Sequence, residues 1–244
     1  VACVRRVRGR VVDLAGAGLA GRVVSYCGGG CFGGVTEADG TFAIDVGDFV
    51  IPEQYTLLLH GRPEHASLYV PGPTPVDGAI NFAEPVAVPR YEDVGDPISE
   101  SAPAGSYTAG DVTLTIAAGS QLEFDVEDAV LGELGHRVRA SWVPVARAPG
   151  FAREAGVVAL WAVAPFALLS DRSIALRLRN RAMLPAASAV DVVVMGLDVT
   201  KLPVNGGRPV VAAAAHVSSD GSTVTTDPGE GLRALSWIGL RPHR

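Results

Sequence analysis

An Asp39-Gly40 turn launches the run Thr41-Phe42-Ala43-Ile44-Asp45-Val46, in which Phe42, Ile44 and Val46 alternate with Thr41, Ala43 and Asp45. A period of two sends one set of side chains to a core and the other to solvent, which predicts a half-buried antiparallel strand. Upstream, Val7-Arg-Gly-Arg-Val-Val-Asp13 and Arg22-Val-Val-Ser-Tyr-Cys27 are β-prone runs separated by glycine turns. With 29 Gly and 17 Pro in 244 residues, turns are frequent and long helices have little room. The chain is 48% hydrophobic and 19% charged, a folded composition long enough for one large β domain or two smaller ones.

The glycine-rich turn Gly16-Ala-Gly18-Leu-Ala-Gly21 matches G-x-G-x-x-G. A dinucleotide site needs that motif to open a helix whose N-terminus meets the pyrophosphate. Here β-prone residues follow, so the motif reads as a strand-connecting loop. In Cys27-Gly-Gly-Gly-Cys31 the glycines allow a tight reversal. A local disulfide between Cys27 and Cys31 and a pair of free thiols are the two structural readings. Zinc would require more ligands, and Cys-x-x-Cys redox chemistry a spacing one residue shorter at a helix start.

Prolines at 71, 73, 75, 85, 89, 97 and 103 break the chain between Ala66 and Gly110. Short strands are expected at Ala79–Phe82 and Val86–Val88, then a linker over 91–107. Alternation resumes in the remainder. Val112, Leu114 and Ile116 face one way, as do Leu122, Phe124 and Val126, and Ile174, Leu176 and Leu178. Further runs at Val138–Val145, Val157–Val163, Val190–Val199, Val210–His216 and Ala234–Ile238 bring the total to about eight strands, the spacing of a sandwich or barrel. Ser219-Asp-Gly-Ser222 suits a two-residue hairpin turn. The predicted fold is therefore all-β: two β-sandwich domains, residues 1–90 and 108–244, joined by a Pro-rich linker.

Two family resemblances accompany these patterns. The segment from Val7 through Asp39-Gly-Thr-Phe-Ala-Ile-Asp-Val46 resembles the opening of carboxypeptidase regulatory-like domains, small transthyretin-like sandwiches of Ig-like build. Asp111-Val-Thr-Leu-Thr-Ile-Ala-Ala-Gly119, Ala164-Pro-Phe with Ile174-Ala-Leu-Arg-Leu, and the stretch from His216 to Trp237 resemble ZU5-like β domains of bacterial secreted and repeat-containing proteins. Ala117 stands where those domains usually have proline. The resemblance implies structural and interaction modules, exported or on the cell surface, with no cofactor. A removed signal peptide fits it, and Cys3 would then be a candidate for lipidation, against a small buried or free thiol.

The chemistry-bearing residues are sparse. Glu123, Asp125, Glu127 and Asp128 form an acidic cluster, either a calcium site or a solvated face, and the second is favoured because no loop supplies the usual alternating Asp/Asn with glycine. Arg137, Arg139, Arg177 and Arg179 fall on polar strand faces, either as a basic stripe for an acidic partner or as a solvated face. His60, His65, His136, His216 and His243 show neither H-E-x-x-H nor a nucleophile elbow. The transthyretin-like hydrolase of purine breakdown carries a Tyr-Arg-Gly-Ser motif that this chain lacks. The expectation is no enzyme activity and no metal.

A formal net charge of −6 gives no general attraction to nucleic acid. The longest apolar run, Ala155–Leu169, contains Pro165 and falls short of the roughly 20 residues of a membrane helix, so no membrane span is expected. Expected partners are other proteins, or further copies of this chain pairing through exposed strand edges. The alternatives are a glycan-binding module stacking sugars on Trp142, Trp161, Tyr55 or Tyr69, and an accessory domain of a larger secreted enzyme or toxin.

Overall fold

A computed structural model describes residues 4–50, 55–61, 63–197 and 206–243, the side chains of 48–50 apart. Cys3, with the expectation of lipidation, lies outside the described residues. The chain is almost entirely β and divides into two compact units. One takes Val1–Arg90 with residues 149–151 and Gly196–Arg208, and the other takes Tyr91–Ala148, Ala152–Met195 and Pro209–Arg244.

The first unit is a sandwich of two sheets. Its strands are β1 (Val4–Val12), β2 (Val23–Cys27), β3 (Cys31–Val35), β4 (Thr41–Val50), β5 (Thr56–Leu59), β6 (Leu68–Val70), β7 (Ala79–Asn81) and β8 (Val86–Ala87). One sheet runs β4-β1-β7, with β8 beside the second half of β1. The other runs β3-β2-β5-β6 and is antiparallel throughout. Phe42, Ile44 and Val46 are buried as the alternation requires, and Val24, Tyr26, Leu57 and Leu59 line the opposite sheet.

The Gly16–Gly21 motif forms the loop from β1 to β2, and no helix follows it. Asp13 Oδ1 organises this loop by accepting from the Ala15 and Ala17 amides, each at 2.9 Å. Gly18 lies against the Asp39-Gly40 turn so closely that a β-carbon would stand 2.0 Å from the Asp39 carbonyl oxygen, so a side chain has no place there.

In the second unit the strands are β9 (Asp93–Pro97), β10 (Gly105–Ala109), β11 (Val112–Ile116), β12 (Leu122–Glu123), β13 (Arg137–Trp142), β14 (Ala159–Ala164), β15 (Leu169–Arg179), β16 (Ala189–Met195), β17 (Val210–Val217), β18 (Thr223–Thr226), β19 (Leu232–Ala234) and β20 (Trp237–Pro242). They join in one hydrogen-bonded path, β10-β11-β15-β18-β17-β16-β20-β14-β13-β9, with β12 and β19 also paired to β15. The path curls until its ends approach each other. A β-carbon on Gly95 of β9 would lie 2.1 Å from the Thr108 carbonyl oxygen of β10. Leu114, Leu176, Val224, Ala215, Val190, Leu240, Trp161 and Val138 fill the enclosed core.

Three expectations need correction. Residues 91–107 are not a linker: they carry β9 and β10 and belong to the second unit. The prolines that suggested a linker sit where they do no harm to the ladder, Pro97 at the end of β9 and Pro103 before β10 begins. Secondly, Leu122, Phe124 and Val126 are not one strand. The strand stops at Glu123, and Asp125 caps α1 (Val126–Ala129) by accepting from the Glu127 amide at 2.9 Å. Helices α2 (Glu133–His136) and α3 (Gly150–Glu154) are equally short and leave no helical period to read. Thirdly, the Ser219–Ser222 hairpin is not a two-residue turn. Its loop spans all four residues, closed by the Ser218 amide on the Thr223 carbonyl at 2.8 Å, and only Gly221 has positive φ.

Candidate functional site

The outward face of the second unit's sheet holds an organised set of polar side chains. Its register places Thr108, Thr113, Arg177, Thr225, His216 and Ala189 in one row across six neighbouring strands. Five strand spacings make that row about 24 Å long. A second row, two residues along each strand and therefore on the same face, contains Ser106, Thr115, Ala175, Ala214, Asp191 and Arg241.

Hydrogen bonds knit this face together. Thr108 pairs with Thr113 through their hydroxyls at 3.0 Å, and Ser106 with Thr115 at 3.0 Å. His216 Nδ1 meets Asp227 Oδ1 at 2.6 Å. Asp191 accepts from Arg241 Nη2 at 2.7 Å and meets His243 Nδ1 at 2.6 Å. Burial pushes the Asp191 carboxyl up, but bonds from His243 and Arg241 outweigh it and hold the group below the usual carboxylate value. Arg177 lies near the middle, exposed, between Thr113 and Thr225, with no described partner of its own. Ala175, two residues along β15 on the same face, keeps the floor beside it low. The arrangement presents hydroxyls, one unpaired guanidinium and carboxylate-oriented imidazoles on an open surface, suited to hydrogen-bonded contact with a broad partner.

The four arginines singled out in the sequence do not form a stripe. Arg177 and Arg179 share β15, and Arg179 stands 4.0 Å from Asp111, which also accepts from Arg181. Arg137, at the start of β13, pairs with Glu133 of α2. Arg139 is buried, its Nη2 3.0 Å from Asp128 Oδ1 and its guanidinium 4.7 Å from the centre of the Tyr91 ring. The acidic cluster is likewise dispersed. Asp125 caps α1, Glu127 and Asp128 are buried rather than solvated, and Asp128 Oδ2 accepts from the Phe166 amide. Among the described residues no three His, Cys, Asp or Glu are grouped as metal ligands.

Cys27 and Cys31 are joined in a disulfide at the end of the β2–β3 hairpin, where they face each other across the ladder. The β2–β5 pairing brings Ser25 Oγ to 3.0 Å from His60 Nε2, a contact that nothing in the spacing of residues 25 and 60 foretold. His65 Nδ1 lies 3.0 Å from the Arg22 guanidinium, and His136 lies 3.2 Å from Glu100 with its ring against Phe124. The aromatic residues considered for sugar stacking are engaged elsewhere. Trp161 and Tyr69 are buried, Trp142 packs edge-on against Trp161 at 5.0 Å, and Tyr55 stacks on Tyr26 at 5.4 Å.

Alternation in Val-Thr-Leu-Thr-Ile and Ile-Ala-Leu-Arg-Leu marked Thr113, Thr115 and Arg177 as outward, but no local signal shows that β11 and β15 are neighbours. No helix among the described residues is long and apolar enough to cross a membrane. No protein-family model matches this chain, and no curated protein sequence matches it either.

Proposed function

We propose that this chain is a non-catalytic structural or interaction protein, working outside the cell or on its surface through contacts with other proteins. The carrying observation is the outward face of the second unit, where exposed Arg177 and His216 and half-buried Thr113 and Thr225 form one row on four adjacent strands. Such a face holds its polar groups on a rigid ladder, so a partner's hydrogen bonds need little further ordering. The Cys27–Cys31 disulfide supports an oxidising compartment, since such bonds persist outside the cytosol. The resemblance to carboxypeptidase regulatory-like and ZU5-like domains of bacterial secreted proteins supports the same role.

Fractionation of source cells tests this reading. The protein is expected in the surface or extracellular fraction with Cys27 and Cys31 oxidised, and Arg177→Glu should release it from its partner-bound pool. Recovery from the cytosol with both thiols free would contradict it.

A further inference from the structure

We propose that the edge of β3 away from β2, which pairs with no other strand among the described residues, pairs antiparallel with β3 of a second copy of this chain, extending the β3-β2-β5-β6 sheet across a two-fold axis at Gly33. The proposal rests on the reading above and names one of its partners.

Backbone geometry shows which groups of β3 face outward. The Thr36 amide donates to the Arg22 carbonyl, so with the register Val23↔Val35 the pairs alternate from there. Val24↔Gly34 and Tyr26↔Phe32 exchange hydrogen bonds, whereas Val23↔Val35, Ser25↔Gly33 and Cys27↔Cys31 do not. The other side of β2 agrees. The His60 amide donates to the Val23 carbonyl, so Val23, Ser25 and Cys27 direct their backbone to β5. The N–H and C=O groups of Cys31, Gly33 and Val35 therefore point away from β2, along the open edge.

The other sheet ends are differently placed. On β6 the Tyr69 amide donates to the Gly196 carbonyl at 3.2 Å, and Gly207 lies against the Tyr69 carbonyl. The outer edge of β4 faces β3, with the Ala43 carbonyl 3.4 Å from where a Gly34 β-carbon would sit. Strands β7 and β8 are three and two residues long. In the second unit the terminal strands β9 and β10 approach each other. Strand β3 has five residues, Cys-Phe-Gly-Gly-Val, with no charge and no proline, and so lacks the usual devices that keep edges apart.

A second copy is the occupant that this edge matches without a separately evolved complement. With Gly33 on the axis, Gly33 faces Gly33, and Cys31 faces Val35 in both directions. Every outward N–H meets an outward C=O, and no like charges oppose each other. The glycine leaves no side chain over the axis. Val35 and its cross-strand neighbour Val23 are 58% and 48% exposed, and the pairing lays the copy's disulfide end beside Val35. The disulfide holds the hairpin in shape beforehand, which lowers the ordering cost of association. The interface is isologous, so it closes at a dimer.

Sedimentation velocity of the full chain from about 1 μM to about 1 mM should show a reversible monomer–dimer equilibrium. Val35→Lys, placing a charge beside the axis, should weaken it at least tenfold while the melting profile and the intact Cys27–Cys31 mass stay those of wild type. Gly33→Cys should form a covalent dimer on mild oxidation, with the linked peptides joining position 33 to position 33. Wild type that stays monomeric throughout, or a dimer indifferent to Val35→Lys with no link at position 33, would overturn the proposal. A monomer still found in the partner-bound surface pool would overturn the strand pairing alone and leave the proposed function standing.

Discussion

Asp128 and Arg139 form a buried ion pair at 3.0 Å, with side-chain exposures of 3% and 4%, tying helix α1 to strand β13. The carboxylate also takes the Phe166 amide, and the guanidinium lies over Tyr91. Loss of one partner strands the other charge out of water. Asp128→Ala is therefore expected to destabilise the second unit by about 3–5 kcal/mol, and Arg139→Met by a similar amount. The double variant should cost much less than the sum, because neither charge is then left alone. Denaturant melts followed by tryptophan fluorescence measure this, since Trp142, Trp161 and Trp237 all lie in that unit.

His65 is predicted to make the first unit sensitive to mild acid. Burial depresses its pKa below 6.5, and the Arg22 guanidinium at 3.0 Å from Nδ1 adds to the depression. The folded state thus binds fewer protons than the unfolded chain just below pH 6.5, so stability rises with pH across that window. Its contribution is complete above the ordinary histidine value and is lost as pH falls through it. Unfolding midpoints between pH 7.5 and 5 should drop for wild type, and the drop should be smaller in His65→Gln. An equal slope in the two proteins would count against this role.

Asp220 is predicted to hold the β17–β18 hairpin in its charged form. Its Oδ1 accepts from Ser218 Oγ at 2.5 Å, the Ser222 amide at 2.9 Å and Ser222 Oγ at 2.8 Å. These bonds bring the carboxyl down to about 2 from 3.8. A depressed carboxylate stabilises above its unfolded value, so the contribution is present above pH 3.8 and lost as pH falls towards about 2. Protection of the Ser222 amide from hydrogen exchange, relative to its intrinsic rate at each pH, should fall over that range, and Asp220→Ala should show the low protection at neutral pH. Unchanged exchange in the variant would contradict it.

The same residues show what could be read beforehand. Val112-Thr-Leu-Thr-Ile and Ile174-Ala-Leu-Arg-Leu announced β11 and β15 because each strand has one face in the core and one in solvent. The buried state of Asp128 could not be read, because it depends on Arg139 and Phe166 closing round it from other elements. Asp125 caps a single helical turn, too short to break the alternation of Leu122, Phe124 and Val126 in the sequence. Strands β9 and β10 were hidden by prolines at their margins. The outward row from Thr108 to Ala189 arises from a strand order that joins residues 113 and 177, then 225 and 216, and no window of sequence spans those distances.

The claim that this protein works by contact through that outward row is tested most directly by site-specific photo-crosslinking. A photoreactive amino acid at Ala189, exposed in the row, is compared with the same group at Met183, a residue 87% exposed on a turn outside it. Adducts to another polypeptide from position 189, absent from position 183 and reduced by Arg177→Glu, are the predicted result. Equal adducts from both positions, or none from position 189 in intact source cells, would contradict the account.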